Sequence, residues 1–259
     1  MRWQLSNPSG LLAGVPVEVI LEEGGALAVP PSEVALDEAL EVQKNWLAER
    51  LKMLEGPEKP AWLVLPEQER SRQLPWQEQL PGNVEVAFGR SGVTLALGQA
   101  TRLGAPATVL AMDRVPGVTP GKVVTSQLSM DLGPGDVGLA FLLGLVDGRP
   151  DRPTDLSDML EHAGRVATAP EVLLMPGTGN DDSLDRLMGS LAAMGTWVDQ
   201  GIRWEFAEAR IGPMGVAGSL FNRYWLQQGY RLGDWQGTAV VMDMDASPLA
   251  GLSVVDYKA

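Results

Sequence analysis

The chain has 259 residues, 20 Lys and Arg against 33 Asp and Glu for a net charge of −13, 45% hydrophobic content, one His and no Cys. That length and apolar share suit one large domain or two packed halves and exclude a disordered chain. The missing Cys removes disulfides, thiolate metal sites and a Cys nucleophile. The single His removes mechanisms that need two imidazoles, and the acidic balance is repelled by nucleic-acid phosphates and anionic lipid.

The opening residues 1–20 break their apolar stretch at Pro16 and Glu18, and the longest apolar stretch, 137–146, is too short for the ~30 Å of bilayer hydrocarbon. A cytoplasmic protein without a targeting segment or membrane contact is expected. From Pro31 to Glu55, Ala39, Leu40, Trp46, Leu47, Leu51 and Leu54 recur at helical spacing, with Ser32 as cap and Gly56 as stop. Residues 61–66 (AWLVLP) and 84–88 read as buried strands, 91–103 as an apolar helix and 107–112 as a third strand. Strand, helix, strand in that order predicts a parallel crossover unit.

GRPDRPTD at 148–155 has the composition of a linker, and the pattern restarts after it. Two halves are expected, 1–149 and 150–259, together one compact domain. The second offers helices at 154–166, 181–194 and 214–228 and strands at 171–175, 238–244 and 252–257. The duplication is one of element order, with no short sequence repeat.

Three glycine-rich turns stand out. Gly177-Thr178-Gly179 follows a buried strand, where α/β sheets present ligand loops, yet Asp181 and Asp182 would repel a phosphate and suit helix capping instead. Gly212 to Gly218 opens an apolar helix with small residues that permit close packing. Phe88-Gly89-Arg90-Ser91-Gly92 is a strand-to-helix turn of the kind that can present a nucleophile, with Ser91 as the candidate. Ser91 lacks a local base, and His162, in MLEHAGR, reads as a helix-surface residue. Asp243 and Asp245 share one strand face and could hold a divalent cation with a third carboxylate, although a strand end turning to solvent explains them. Trp197, Trp204, Trp225 and Trp235 gather in one stretch, as core or as a contact surface.

Together the turns resemble the three landmark loops of the thiolase and β-ketoacyl synthase superfamily. The resemblance implies an α/β, thiolase-like five-layer αβαβα sandwich of two pseudo-repeated halves. FGRSGVTLALGQA is similar to the nucleophile loop with Gly89 at the Cys position. MPGTGNDD matches the Gly-Thr-Gly element with Pro176 at the His position, and GPMGVAG is similar to the third loop with Pro213 at its His. VLAMD at 109–113 resembles the strand after the nucleophile helix, and 133–144 the strand closing the first half.

A condensation through a protein thioester needs an activated thiol and groups that stabilise the enolate and oxyanion, which this chain does not encode. The expected protein is therefore a pseudoenzyme: a thiolase-like scaffold, partner subunit or adaptor/chaperone for a synthase complex or a secretion-system effector, needing no cofactor or metal. Its expected partners are proteins, including an acyl-carrier protein or a second copy of itself. The resemblance places a dimer contact on the edge of strand 107–112. The alternatives are a hydrolase using Ser91, a carboxylate reaction using Asp181, Asp182 or Asp243, and an acyl-binding protein that keeps the old pocket. Without a base Ser91 is expected to cap the helix that follows it.

Overall fold

The computed structural model describes residues 2–7, 17–20, 33–54, 59–71, 80–104, 106–132, 139–147, 153–166, 169–179, 185, 188–189, 194–195, 197, 201–244 and 249–257. Strands β1 (Arg2–Asn7), β2 (Val17–Ile20), β3 (Glu33–Ala35), β4 (Ala61–Leu65), β5 (Val84–Phe88), β6 (Ala107–Pro116) and β7 (Lys122–Leu132) form one sheet. Its order is β2-β1-β7-β6-β4-β5, with β3 also pairing β7. Strands β8 (Leu139–Asp147), β9 (Val172–Leu174), β10 (Arg203–Glu205), β11 (Ala239–Asp243) and β12 (Leu249–Tyr257) form the second, in the order β10-β9-β11-β12-β8. The helices are α1 (Leu36–Met53), α2 (Arg90–Leu103), α3 (Pro153–Val166), the four-residue α4 (Glu208–Ile211) and α5 (Val216–Leu232).

The order β5-β4-β6-β7-β1 in the first sheet repeats as β10-β9-β11-β12-β8 in the second. In each, three parallel strands are followed by two antiparallel ones. β8 thus belongs to the second sheet, which corrects its expected place as the strand closing the first half. The last strand of the first sheet in chain order is β7, buried at every position from Val124 to Met130, with Leu128 and Met130 in the core between the sheets. β6 lies between β4 and β7 with both edges hydrogen-bonded, so the expected edge-to-edge contact through 107–112 is not available.

Packing defines five layers. On the outer face of the first sheet, Trp46, Leu47 and Leu54 of the α1 segment meet Leu63, Leu65, Leu110 and Met112. Between the sheets, Val93 and Leu97 of α2 and Leu220 and Tyr224 of α5 pack on Val64, Val109, Leu128 and Met130. The far side of α5 places Leu226 and Tyr230 on Val172, Leu174, Val241 and Val255. On the outer face of the second sheet, Met159, Leu160 and Ala163 of α3 meet Val240, Met242, Leu252 and Val254. Strands enclosed on both faces need apolar residues at consecutive positions, which is why AWLVL of β4 is buried throughout.

The two central helices begin alike. Gly89 (φ 72°) and Gly215 (φ 57°) are their N-caps, and three residues on the N–H groups of Gly92 and Gly218 each bond back to those glycine carbonyls at 3.0 Å. GRSG and GVAG therefore share a glycine spacing, with Gly92 in a tight site and Gly218 in one where a side chain would collide. A Cβ on Gly92 would lie 3.1 Å from Val64 Cγ1, and one on Gly218 2.2 Å from Glu208 Oε1. The helix expected from Pro31 starts later, at Leu36, with Ala35 as its N-cap and β3 before it. Ser32 lies outside the described residues. The helix expected at 214–228 is α5, running to Leu232 and preceded by the separate α4, while the one expected at 181–194 falls largely outside the described residues. Trp197 and Trp235 are buried, and Trp204 and Trp225 pack against core clusters, so these tryptophans are core rather than a contact surface.

Candidate functional site

The three turns converge between the sheets at one carboxylate, that of Glu208. β5 ends at Phe88, and Gly89 swings the chain into α2 while its N–H donates to the Leu65 carbonyl at 2.8 Å. The next residue, Arg90, is buried and sends a two-pronged guanidinium to Glu208, Nη1 to Oε1 at 2.6 Å and Nη2 to Oε2 at 3.1 Å. The Gly177 N–H of the second turn donates to Oε1 at 3.0 Å, and the Met214 N–H of the third donates to Oε2 at 2.7 Å. Glu208 is 0% exposed.

A carboxylate has about four lone-pair directions, and these four donors use them all. The forked Arg geometry suits a buried carboxylate because planar donors and planar acceptors satisfy each other in pairs while the charges cancel. Glu208 is therefore a clamp across the turns, with no lone pair left to take a substrate proton.

A second carboxylate sits nearby in the fold. Asp113 of β6 accepts from its neighbour's Arg114 N–H at 2.6 Å and from the Val216 N–H in the first turn of α5 at 2.8 Å. Burial pushes its carboxyl up to about 6, outweighing those two bonds and the attraction of Arg90 and Arg114. Gly215 makes the approach possible, since a Cβ there would stand 1.9 Å from Asp113 Oδ2. Deeper in the central layer, Arg223 of α5 and Asp243 of β11 form an ion pair with both side chains 0% exposed. Nη1 meets Oδ1 and Nη2 meets Oδ2 at 2.6 Å each, while Thr94 Oγ1 of α2 donates to Oδ2 at 2.5 Å and Arg223 Nη2 to Ser253 Oγ at 2.8 Å.

Gly89 and Pro176 are buried at their turns, and Pro213 is exposed. Ser91 is 1% exposed and its Oγ has no hydrogen-bond partner. It is not the helix cap, because α2 begins one residue earlier, at Arg90, with Gly89 as N-cap and no side-chain capping bond. His162 lies on α3, on the outer face of the second sheet, whereas Ser91 lies on α2 on its inner side, so the sheet separates them. Asp243 does not turn to solvent, being committed to Arg223 and Thr94. Asp181, Asp182 and Asp245 lie outside the described residues, and among the described residues no group of three or more His, Asp or Glu could hold a metal ion. No helix among them is long and apolar enough to cross a membrane.

Arg90, Glu208, Asp113 and Arg223 escaped identification as a site from sequence. One signal was there: an Arg at the mouth of an apolar helix (Arg90) and another inside one (Arg223) must find a carboxylate if buried. Spacing could not say which, since Arg90 and Glu208 are 118 residues apart.

Layering and strand order are those of an α/β five-layer sandwich of two similarly ordered sheets, the arrangement that the resemblance of the three turns implied. No family model and no curated protein matches the sequence. Among solved structures the chain is similar to the ishigamide ketosynthase/chain length factor, at 13% identity over 78% of this chain and 74% of that one, TM-score 0.47. It is similar to an oxazolomycin ketosynthase domain from Streptomyces albus JA3453, at 16% identity over 78% and 73%, TM-score 0.49. A third is 3-oxoacyl-[acyl-carrier-protein] synthase III from Aquifex aeolicus VF5, at 12% identity over 78% of each chain, TM-score 0.48.

Proposed function

We propose that this chain is a non-catalytic, thiolase-like protein that works through a protein interface, as a partner subunit or as an adaptor or chaperone, with a synthase complex or a secretion-system effector as the partner classes. The observation that carries the reading is the Glu208 clamp: where the three turns meet there is a neutralised ion pair with every lone pair engaged, in place of a nucleophile and bases. Gly89, Pro176 and Pro213 bring no thiol or imidazole to it, and the amide of Gly89 is spent on Leu65. The hydrolase alternative is weakened by a buried Ser91 with the chain's one His on the far side of a sheet.

The contact with a partner or a second copy is better placed on β5 than on β6, because among the described residues β5 pairs only with β4 and offers an open edge. The test uses purified full-length chain, with acyl transfer from acyl-CoA and acyl-carrier protein assayed beside light scattering. The expected result is no acyl transfer and a dimer or a stoichiometric complex with an isolated partner. Acyl transfer by a monomer, lost in Ser91→Ala, would overturn the proposal in favour of the enzyme.

A further inference from the structure

The four donors that meet at Glu208 come from segments distant in sequence: the guanidinium of Arg90 from α2, an N–H from Gly177 and an N–H from Met214. Two backbone amides and a bidentate guanidinium directed at one point constitute a receptor for a carboxylate, whichever molecule supplies it. The absence of side chains at neighbouring positions fits this use, since a Cβ on Gly218 would overlap the Glu208 carboxylate, at 2.2 Å from Oε1 and 2.8 Å from Oε2. Glu208 itself enters from α4, a helix of four residues that ends at Gly212 with φ 96°.

We propose that the meeting point of the three turns is a carboxylate-binding cradle that the chain keeps filled with its own Glu208. Arg90, Gly177 and Met214 are the binding elements, and Glu208 is an internal ligand that excludes external ones. The class of molecule that would replace it is a small carboxylate, formate or acetate in size, because the space released is that of one carboxylate between a glycine and the turns. This goes beyond the scaffold proposal and does not depend on it: the cradle could be filled in this way whether or not the protein acts through an interface.

The test is chemical rescue. Glu208→Ala removes the internal ligand and leaves the donors. Its thermal midpoint is measured against sodium formate and sodium acetate, with sodium chloride at matched ionic strength as control, beside wild type and Glu208→Gln, whose side chain still fills the cradle. The expected result is a saturable rise in Glu208→Ala of about 3–5 °C at formate near ten times its dissociation constant, absent with chloride, absent in wild type and absent in Glu208→Gln. A rise of equal size in wild type, or in chloride, would overturn the proposal. If Glu208→Ala is unfolded in buffer, refolding from urea in formate against chloride is the readout. Recovery in formate alone supports the cradle, and failure in both overturns it.

Discussion

Replacing Arg90 with Met keeps the length and apolar body of the side chain but strips Glu208 of its counter-charge. The carboxylate, 0% exposed, would keep its two backbone donors, Gly177 and Met214, while losing both guanidinium bonds. Removing one partner of a buried pair leaves an uncompensated charge and costs about 3–5 kcal/mol. With a urea dependence of about 3 kcal/mol per M, the unfolding midpoint falls by about 1–1.7 M. The eight tryptophans make intrinsic fluorescence a direct assay. The double variant Arg90→Met/Glu208→Met removes both charges at once and is expected to be more stable than Arg90→Met alone, a coupling that an independent pair of sites would not show. The exposed pair Arg165–Glu161, with side chains 72% and 60% accessible, supplies the control: Arg165→Met should cost less than about 1 kcal/mol. An Arg90→Met cost as small as that of Arg165→Met, or a double variant as unstable as the sum of the single ones, would refute the clamp.

Asp113 sets a pH dependence. A carboxyl raised from 3.8 to about 6 on folding holds its proton more tightly in the native state, so the stability this lends is complete below about 4 and is lost as pH rises through 6. The swing is at most about 3 kcal/mol, and urea unfolding of wild type minus Asp113→Asn across pH 4–7 should reveal it; a flat difference would show that the carboxyl is not raised. Ser91→Ala should leave stability unchanged or raised, within about 1 kcal/mol, because it removes a buried hydroxyl that has no partner; a clear loss in thermal midpoint would restore a capping role. Gly218→Ala, which would favour an exposed helix by about 1 kcal/mol, should destabilise this one by about 1–3 kcal/mol, since the added Cβ collides with a carboxylate pinned by four hydrogen bonds. A stabilised Gly218→Ala in urea titration would mean that Glu208 is free to move.

What the sequence determined by itself is what depends on neighbours along the chain. AWLVL declares a strand enclosed on both faces, and the small residues of GRSGVTLALGQA and GVAGSLF declare helices that other elements approach closely. The lack of Cys and the single His limit the chemistry in any fold, and the three turns in order carried the resemblance from which five layers were expected. Tertiary structure alone decided the rest. β6 looked like an edge strand and is interior, and β8 looked like the end of one half and pairs with β12, because strand partners are chosen by long-range hydrogen bonding that no local pattern encodes. Arg90, Glu208 and Arg223 look like ordinary charged residues in the sequence, and Asp243 reads there as a cation ligand or a strand end rather than as the partner of Arg223. Their role appears only when α2, α4, α5 and β11 enclose them, since a buried charge is tolerable only beside its partner and that partner is brought near by the fold as a whole.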